Sequence, residues 1–201
     1  MRDYICLNNQ RVMLTKEQVS KIRKIFNTQE RLGDVPVGDV FTIGELEFVV
    51  LEHAKETTAV IFNGLVGDDI AFGKTNDFRT SNVLNICNAF AYEICSALGT
   101  SEPLVEHTVD LTAADGLKDY GKMKLFVSLP TTELYRRYVD ILDRYKVGCW
   151  WLATAFSAPT HGNTNWVNVV ASSGCIANFS CYKKYGVRPF CILKSDTLVS
   201  V

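Results

Sequence analysis

The chain lacks any apolar run of the roughly 18 to 20 residues that a membrane-crossing helix needs. Its opening, Met1-Arg2-Asp3-Tyr4-Ile5-Cys6-Leu7-Asn8, has no secretory apolar core. The expectation is a chain that is not sent out by a signal peptide and has no membrane partner. Charge of one sign is missing too. Twenty-one basic residues face 22 acidic ones, for a net charge of −1, so nothing draws the whole chain to a phosphate backbone and nucleic acid is a poor partner. There is no Cys-x-x-Cys pair and no Gly-rich phosphate loop, and the three histidines, His53, His107 and His161, lie far apart. No metal, cofactor or catalytic set is therefore expected. With 13 glycines and 5 prolines the chain is no low-complexity segment.

What is present is a folding composition. Over 201 residues, 47% are hydrophobic and 21% charged, enough apolar material for a sizeable core. The cysteines (Cys6, Cys87, Cys95, Cys149, Cys175, Cys181 and Cys191) are odd in number and sit in core-like segments. That pattern suits buried thiols in a reducing compartment.

Residues 3–14 alternate around Asn8-Asn9 and read as a hairpin. Thr15-Lys16-Glu17-Gln18 has capping-box form, and Val19, Ile22, Ile25 and Phe26 follow at helical spacing. Gly33 to Gly38 reads as a linker, which divides the chain into a hairpin-helix extension, 1–36, and a main domain, 37–201. Single stripe of four apolar residues that it is, the extension fits a cover for a sheet edge, with an oligomerisation arm, and so a homo-oligomer, as the other reading. Val40 to Ile43, Leu46 to Leu51 and Thr58 to Phe62 predict three antiparallel strands. Two helices are predicted next. Ser81 to Leu98 is closed by Gly99; the second runs from Thr131 to about Tyr145 with Leu134, Tyr138, Ile141, Leu142 and Tyr145 inward. After Gly148 four strands are expected: Cys149 to Ala153, Trp166 to Val170, Cys175 to Phe179 and Val187 to Leu193. The fold class is α+β, with mixed antiparallel sheets, two main helices and a C-terminal segment that closes the sheet.

The tail carries Cys149-Trp150-Trp151-Leu152-Ala153-Thr154, then Val169-Val170-Ala171-Ser172-Ser173-Gly174, then Tyr185-Gly186-Val187-Arg188-Pro189-Phe190. From residue 37 to about 194 the chain resembles a bacterial and phage domain family of unknown function with a Trp-Trp-Leu strand, a Ser-x-Gly turn and a terminal Gly-Val-Arg-Pro strand. That family is similar to the C-type-lectin-like fold of formylglycine-generating enzymes and phage tropism determinants. The Arg-Ser usual after Trp-Trp-Leu is replaced here by Ala153-Thr154. Trp150, Trp151, Gly174, Arg188 and Pro189 are the structural residues of the pattern. Pro189 belongs at an edge or strand start, and Arg188 pins the closing strand by pairing a carboxylate or capping carbonyls.

Ser157 to Asn168, followed by Asn178 to Tyr182, combines asparagines with aromatics in the manner of an adaptable recognition surface. The candidate ligand-binding residues are His161, Asn163, Asn165, Trp166, Asn168, Asn178, Phe179 and Tyr182. The competing reading makes Trp166 and Phe179 core and leaves Asn163 and Asn165 to satisfy turns. The resemblance implies a non-catalytic binding protein of phage or prophage origin. Its partner is a protein rather than a sugar, because the calcium-binding triplets of sugar lectins are missing. Two settings follow: a virion component, or a cytoplasmic inhibitor of a host defence protein such as a CRISPR nuclease. A cysteine-dependent oxidase of the formylglycine-generating type, using Cys175 and Cys181, is the enzymatic alternative. Asp110 to Asp119 offers three carboxylates but not the spacing of a calcium loop, and reads as a polar connection.

Overall fold

A computed structural model describes residues 4–7, 10–15, 18 and 29–201. The expected hairpin is present as β1 (Tyr4–Leu7) paired antiparallel with β2 (Gln10–Met13). Its capping box also forms: Thr15 N–H donates to Gln18 Oε1 at 2.9 Å and Gln18 N–H to Thr15 Oγ1 at 3.2 Å. The helix predicted beyond it, with Val19, Ile22, Ile25 and Phe26, lies outside the described residues.

The main sheet is built on β4 (Val40–Ile43), β5 (Leu46–His53) and β6 (Thr57–Phe62), paired in succession as expected. Gly44, at φ +58°, opens the two-residue turn between β4 and β5, where a side chain would be strained. On the far edge of β6 lies β16 (Phe190–Lys194), which in turn pairs end to end with β8 (Leu104–Val105) and β11 (Val127–Ser128). On the other edge, β17 (Leu198–Ser200) joins β4 to β3 (Gln29–Arg31). The C-terminal segment thus closes the sheet from both sides.

Gly33 to Gly38 is no free linker. Leu32 and Val35 are fully buried in the core, and the Leu32 and Gly33 N–H groups donate to the Thr197 and Ser195 carbonyls. The main domain begins before residue 37, because β3 needs β17 to satisfy its backbone.

Alternation along the strands divides the interior in two. Phe48, Val50, Val60, Cys191 and Leu193 face one core, while Val49, Leu51, Ile61 and Phe190 face the other. The first core is covered by α1 (Asn82–Leu98), whose Val83, Cys87, Phe90 and Ile94 are buried. Ser81 caps α1 by accepting from Leu84 N–H at 3.1 Å, and Gly99 ends it at φ +71°. Phe90 meets Phe48 and Phe62 at ring separations of 6.2 and 5.0 Å.

The second core is covered by α2 (Thr132–Arg137) and α3 (Val139–Leu142). The predicted helix through Tyr145 is therefore shorter and broken at Tyr138, where φ is −113° and ψ is 17°. The phase survives the break: Tyr135, Tyr138 and Leu142 are all buried, while Arg136, Arg137, Asp140, Asp143 and Arg144 stay exposed.

A second, three-stranded sheet runs β12 (Trp150–Ala155), β13 (Trp166–Val170) and β14 (Ile176–Ser180). β12 joins both cores, with Trp151 in the first and Trp150 and Leu152 in the second. Two small ladders complete the described fold: β7 (Ile70–Ala71) with β15 (Lys184–Tyr185), and β9 (His107–Asp110) with β10 (Lys122–Leu125). The architecture is mixed α/β, mostly antiparallel, with few helices.

Candidate recognition surface

One end of the three-stranded sheet carries the segment singled out in the sequence. β12 ends at Ala155, and the Phe156 N–H donates to the Trp166 carbonyl at the start of β13, at 2.9 Å. Between them Pro159–His161 forms a short 3-10 turn, ended by Gly162 at φ +73°. Two carboxylates from another loop hold this turn. Asp115 Oδ2 accepts from Ser157 Oγ at 2.7 Å, Ala158 N–H at 2.9 Å and His161 Nδ1 at 2.9 Å. Asp119 Oδ2 accepts from Thr160 N–H at 3.0 Å and Thr160 Oγ1 at 2.8 Å.

Desolvation pushes the Asp115 carboxyl up, but the bonds from Ser157, Ala158, Leu117 and His161 outweigh it and hold the group below the usual carboxylate range. The Asp110 to Asp119 connection, read from sequence as a polar connection, braces this turn through Asp115 and Asp119. Beneath the turn lies Asn76, fully buried. Its Nδ2 donates to the carbonyls of Ser157 at 2.8 Å and Trp166 at 3.1 Å, its N–H donates to Thr164 O at 2.7 Å, and its Oδ1 accepts from the Tyr120 hydroxyl. Arg79 stacks over the Tyr120 ring at 5.4 Å and pairs with Asp77. Burial, the largest cause, raises the Tyr120 hydroxyl to about 12.

The predicted ligand-binding residues divide. His161, Asn165, Trp166 and Tyr182 are exposed, Trp166 by 42% and Tyr182 by 63%. Asn163 is half-buried and its Oδ1 accepts from the Asn165 N–H at 3.0 Å, so it satisfies a turn. Asn178 is half-buried on β14. Phe179 is half-buried against the core, with its ring 5.2 Å from Tyr185. Asn168 does not belong to the surface: only 4% exposed, its Nδ2 donates to Thr132 Oγ1 at 3.0 Å and ties β13 to α2. Both faces of β13 are covered from Val167 to Val170, which puts it there. The backbone holds the exposed set firmly, with Trp166 paired to Ser180 and Cys181 N–H donating to Asn165 O at 2.7 Å. The Tyr182 hydroxyl donates to Lys74 O at 3.1 Å.

Of the tail residues assigned to structure, all but the half-buried Gly174 are interior. Trp150 and Trp151 are buried, with the Trp151 Nε1–H donating to Ile70 O at 2.8 Å. Gly174 lies at φ +90° and its carbonyl accepts from the Tyr135 hydroxyl at 2.6 Å. Pro189 directly precedes β16, where its missing N–H costs no ladder bond, and its carbonyl accepts from Phe62 N–H at 2.9 Å. Arg188 is 1% exposed, donates from Nε to Phe62 O at 3.0 Å and lies 5.6 Å over the Trp150 ring. It caps a carbonyl and pairs no carboxylate among the described residues.

Other chemistry-bearing groups lie apart. Cys175 is exposed and Cys181 buried, at opposite ends of β14 and roughly 20 Å apart along an extended strand. The imidazole of His107 bonds Ser128 Oγ through Nε2 at 2.9 Å, and burial lowers its pKa. Ser128 is 1% exposed and committed to the β11–β16 ladder, so its hydroxyl is an internal partner. No group of three or more His, Cys, Asp or Glu side chains among the described residues is placed to hold a metal. Two exposed aromatics, Tyr92 and Phe126, border a separate groove between α1 and β10.

Asn76, Tyr120 and Phe156 were not singled out in the sequence. The first two come from loops remote in sequence, and only spatial contact reveals them; Phe156, 41% exposed, could have been found as an apolar residue just past the end of an apolar strand. No family model, curated protein or solved structure matches this chain.

Proposed function

We propose that the chain is a non-catalytic, protein-binding domain of C-type-lectin-like architecture, which recognises its partner with the end of the three-stranded sheet formed by residues 156–166 and 180–182. The observation that supports this reading is the exposure of Phe156, Trp166 and Tyr182 on backbone fixed by hydrogen bonds at that end. Large aromatics on a rigid frame are the usual anchors of protein interfaces, because they bury much area and lose little conformational freedom. His161 and Asn165 add polar contacts beside them. Bracing by Asp115, Asp119 and Asn76 favours this end over the Tyr92 and Phe126 groove, since preorganisation reduces the entropic cost of binding.

The test compares wild type with a Phe156→Ala, Trp166→Ala, Tyr182→Ala variant, both isolated from the same cells. The reading expects a protein that is stoichiometric with wild type, missing from the variant, and missing while the variant still melts normally. Each anchor is expected to contribute on the order of 2 kcal/mol, about thirtyfold in affinity. Retention of the partner by the folded variant, with its loss in a Tyr92→Ala, Phe126→Ala variant, would place recognition elsewhere and overturn the assignment.

A further inference from the structure

Arg188 is a buried cation with an incomplete set of partners. Its Nε bonds the Phe62 carbonyl and its face meets Trp150, yet Nη2 is buried with no hydrogen-bond partner. No ion pair to it exists among the described residues. Arg188 lines a small cavity whose walls also include Tyr135, Trp150, Val170 and Gly174. The free space there is small, with room for a single occupant. Two charged groups stand at the same cavity, Asp143 and Lys146, and they neutralise each other through an Oδ1 to Nζ contact of 2.9 Å. Lys146 is further held by Ser173 O at 3.3 Å. The Tyr135 hydroxyl proton is committed to Gly174 O. The net charge around the cavity is therefore that of Arg188, +1.

An uncompensated buried charge is among the costliest arrangements a protein can hold, and one partner is normally present to offset it. A water would satisfy the free N–H groups and leave the charge. A carboxylate, phosphate or sulfate would offset the charge and exceed the space. We propose that this cavity binds one monatomic halide, chloride in ordinary salt, held by Arg188 Nη2. The backbone supports the shape: a Cβ on Gly174 would come within 3.0 Å of Asp143 Oδ1 and 3.4 Å of Tyr135 Oη, so a glycine keeps these walls as they are. The site stands independently of the recognition surface at the other end of the sheet.

The experiment uses the full chain at matched ionic strength in sodium chloride and in sodium gluconate. Chloride at one hundred times its Kd is expected to raise the melting temperature by roughly 5 to 10 °C, and ³⁵Cl resonance lines are expected to broaden in proportion to protein. Both effects are expected to vanish in Arg188→Met. Equal melting in the two salts, or broadening that Arg188→Met retains, would overturn the proposal. If Arg188→Met does not fold, crystals of the wild-type protein grown in bromide decide the matter. An anomalous peak in hydrogen-bonding contact with Nη2 supports the site, and a water there without one refutes it.

Discussion

Replacing Asn76 with alanine tests how the candidate surface is held. The change removes the amide that donates to the Ser157 and Trp166 carbonyls and accepts from Tyr120, while Asn76 N–H still reaches Thr164 O. Trp166 O keeps its bond from Phe156, so the groups left without that amide are Ser157 O, the Tyr120 hydroxyl and, over a long 3.4 Å contact, Asn163 O. At about 1 to 3 kcal/mol for each orphaned buried polar group, Asn76→Ala is expected to cost about 4 kcal/mol. Tyr120→Phe leaves only Asn76 Oδ1 unpaired and is expected to cost about 1 to 2 kcal/mol. In the double variant the Tyr120 hydroxyl and Asn76 Oδ1 are both gone, so both penalties vanish and the combined loss falls short of the sum by about 3 kcal/mol. Urea unfolding midpoints at constant slope measure all three losses, and hydrogen exchange across residues 157–166 reports the local opening. A cost below about 1 kcal/mol for Asn76→Ala, or additivity in the double variant, refutes the view that this amide holds the two strand ends together.

Three further outcomes follow from the same coordinates. Ser81→Ala removes the α1 cap and is expected to cost about 1 kcal/mol, seen as a melting temperature lower by roughly 2 to 4 °C. Because the folded state holds the Asp115 carboxyl below its ordinary value, its contribution is complete above the unfolded carboxylate pKa and is lost as pH falls toward the folded one. Urea midpoints between pH 6 and pH 3 should therefore decline less steeply in Asp115→Asn than in wild type; parallel declines would assign the acid sensitivity to other groups. In timed alkylation read by mass spectrometry, exposed Cys175 is expected to react in the native protein, whereas Cys87 and Cys191, buried with thiols pushed up by desolvation, react only after unfolding.

The longer elements could be read from sequence because their periodicity spans enough residues to be unambiguous. Ser81 and Gly99 bracket α1, and the stripe from Val83 to Ile94 is its buried face. β4, β5 and β6 were equally plain in their β-branched and aromatic content. β7, β8, β11 and β15 are two residues each, too short for any period to register. The strand expected from Val187 begins its ladder only at Phe190, since Pro189 has no N–H to give. The helix expected through Tyr145 breaks where the Tyr138 hydroxyl reaches Glu52 of β5, a contact between positions remote in the chain. The site divided in the same way: exposed Trp166 and Tyr182 follow from loop composition, but Asn168 is interior because both faces of β13 are covered from Val167 on, and Asn76 enters only through contacts across 44 to 90 residues. Composition reports what a loop can offer; the folded chain decides which side chains remain available.

The place of β16 has a consequence for folding. It sits between β6 on one side and β8 with β11 on the other, so this flank of the largest sheet is joined by a strand remote from β6 in the chain. Until β16 docks, β6 presents an open edge along Val60 and Ile61, a template for pairing with neighbouring chains. Contacts of such long sequence separation make this part of the sheet slow to form.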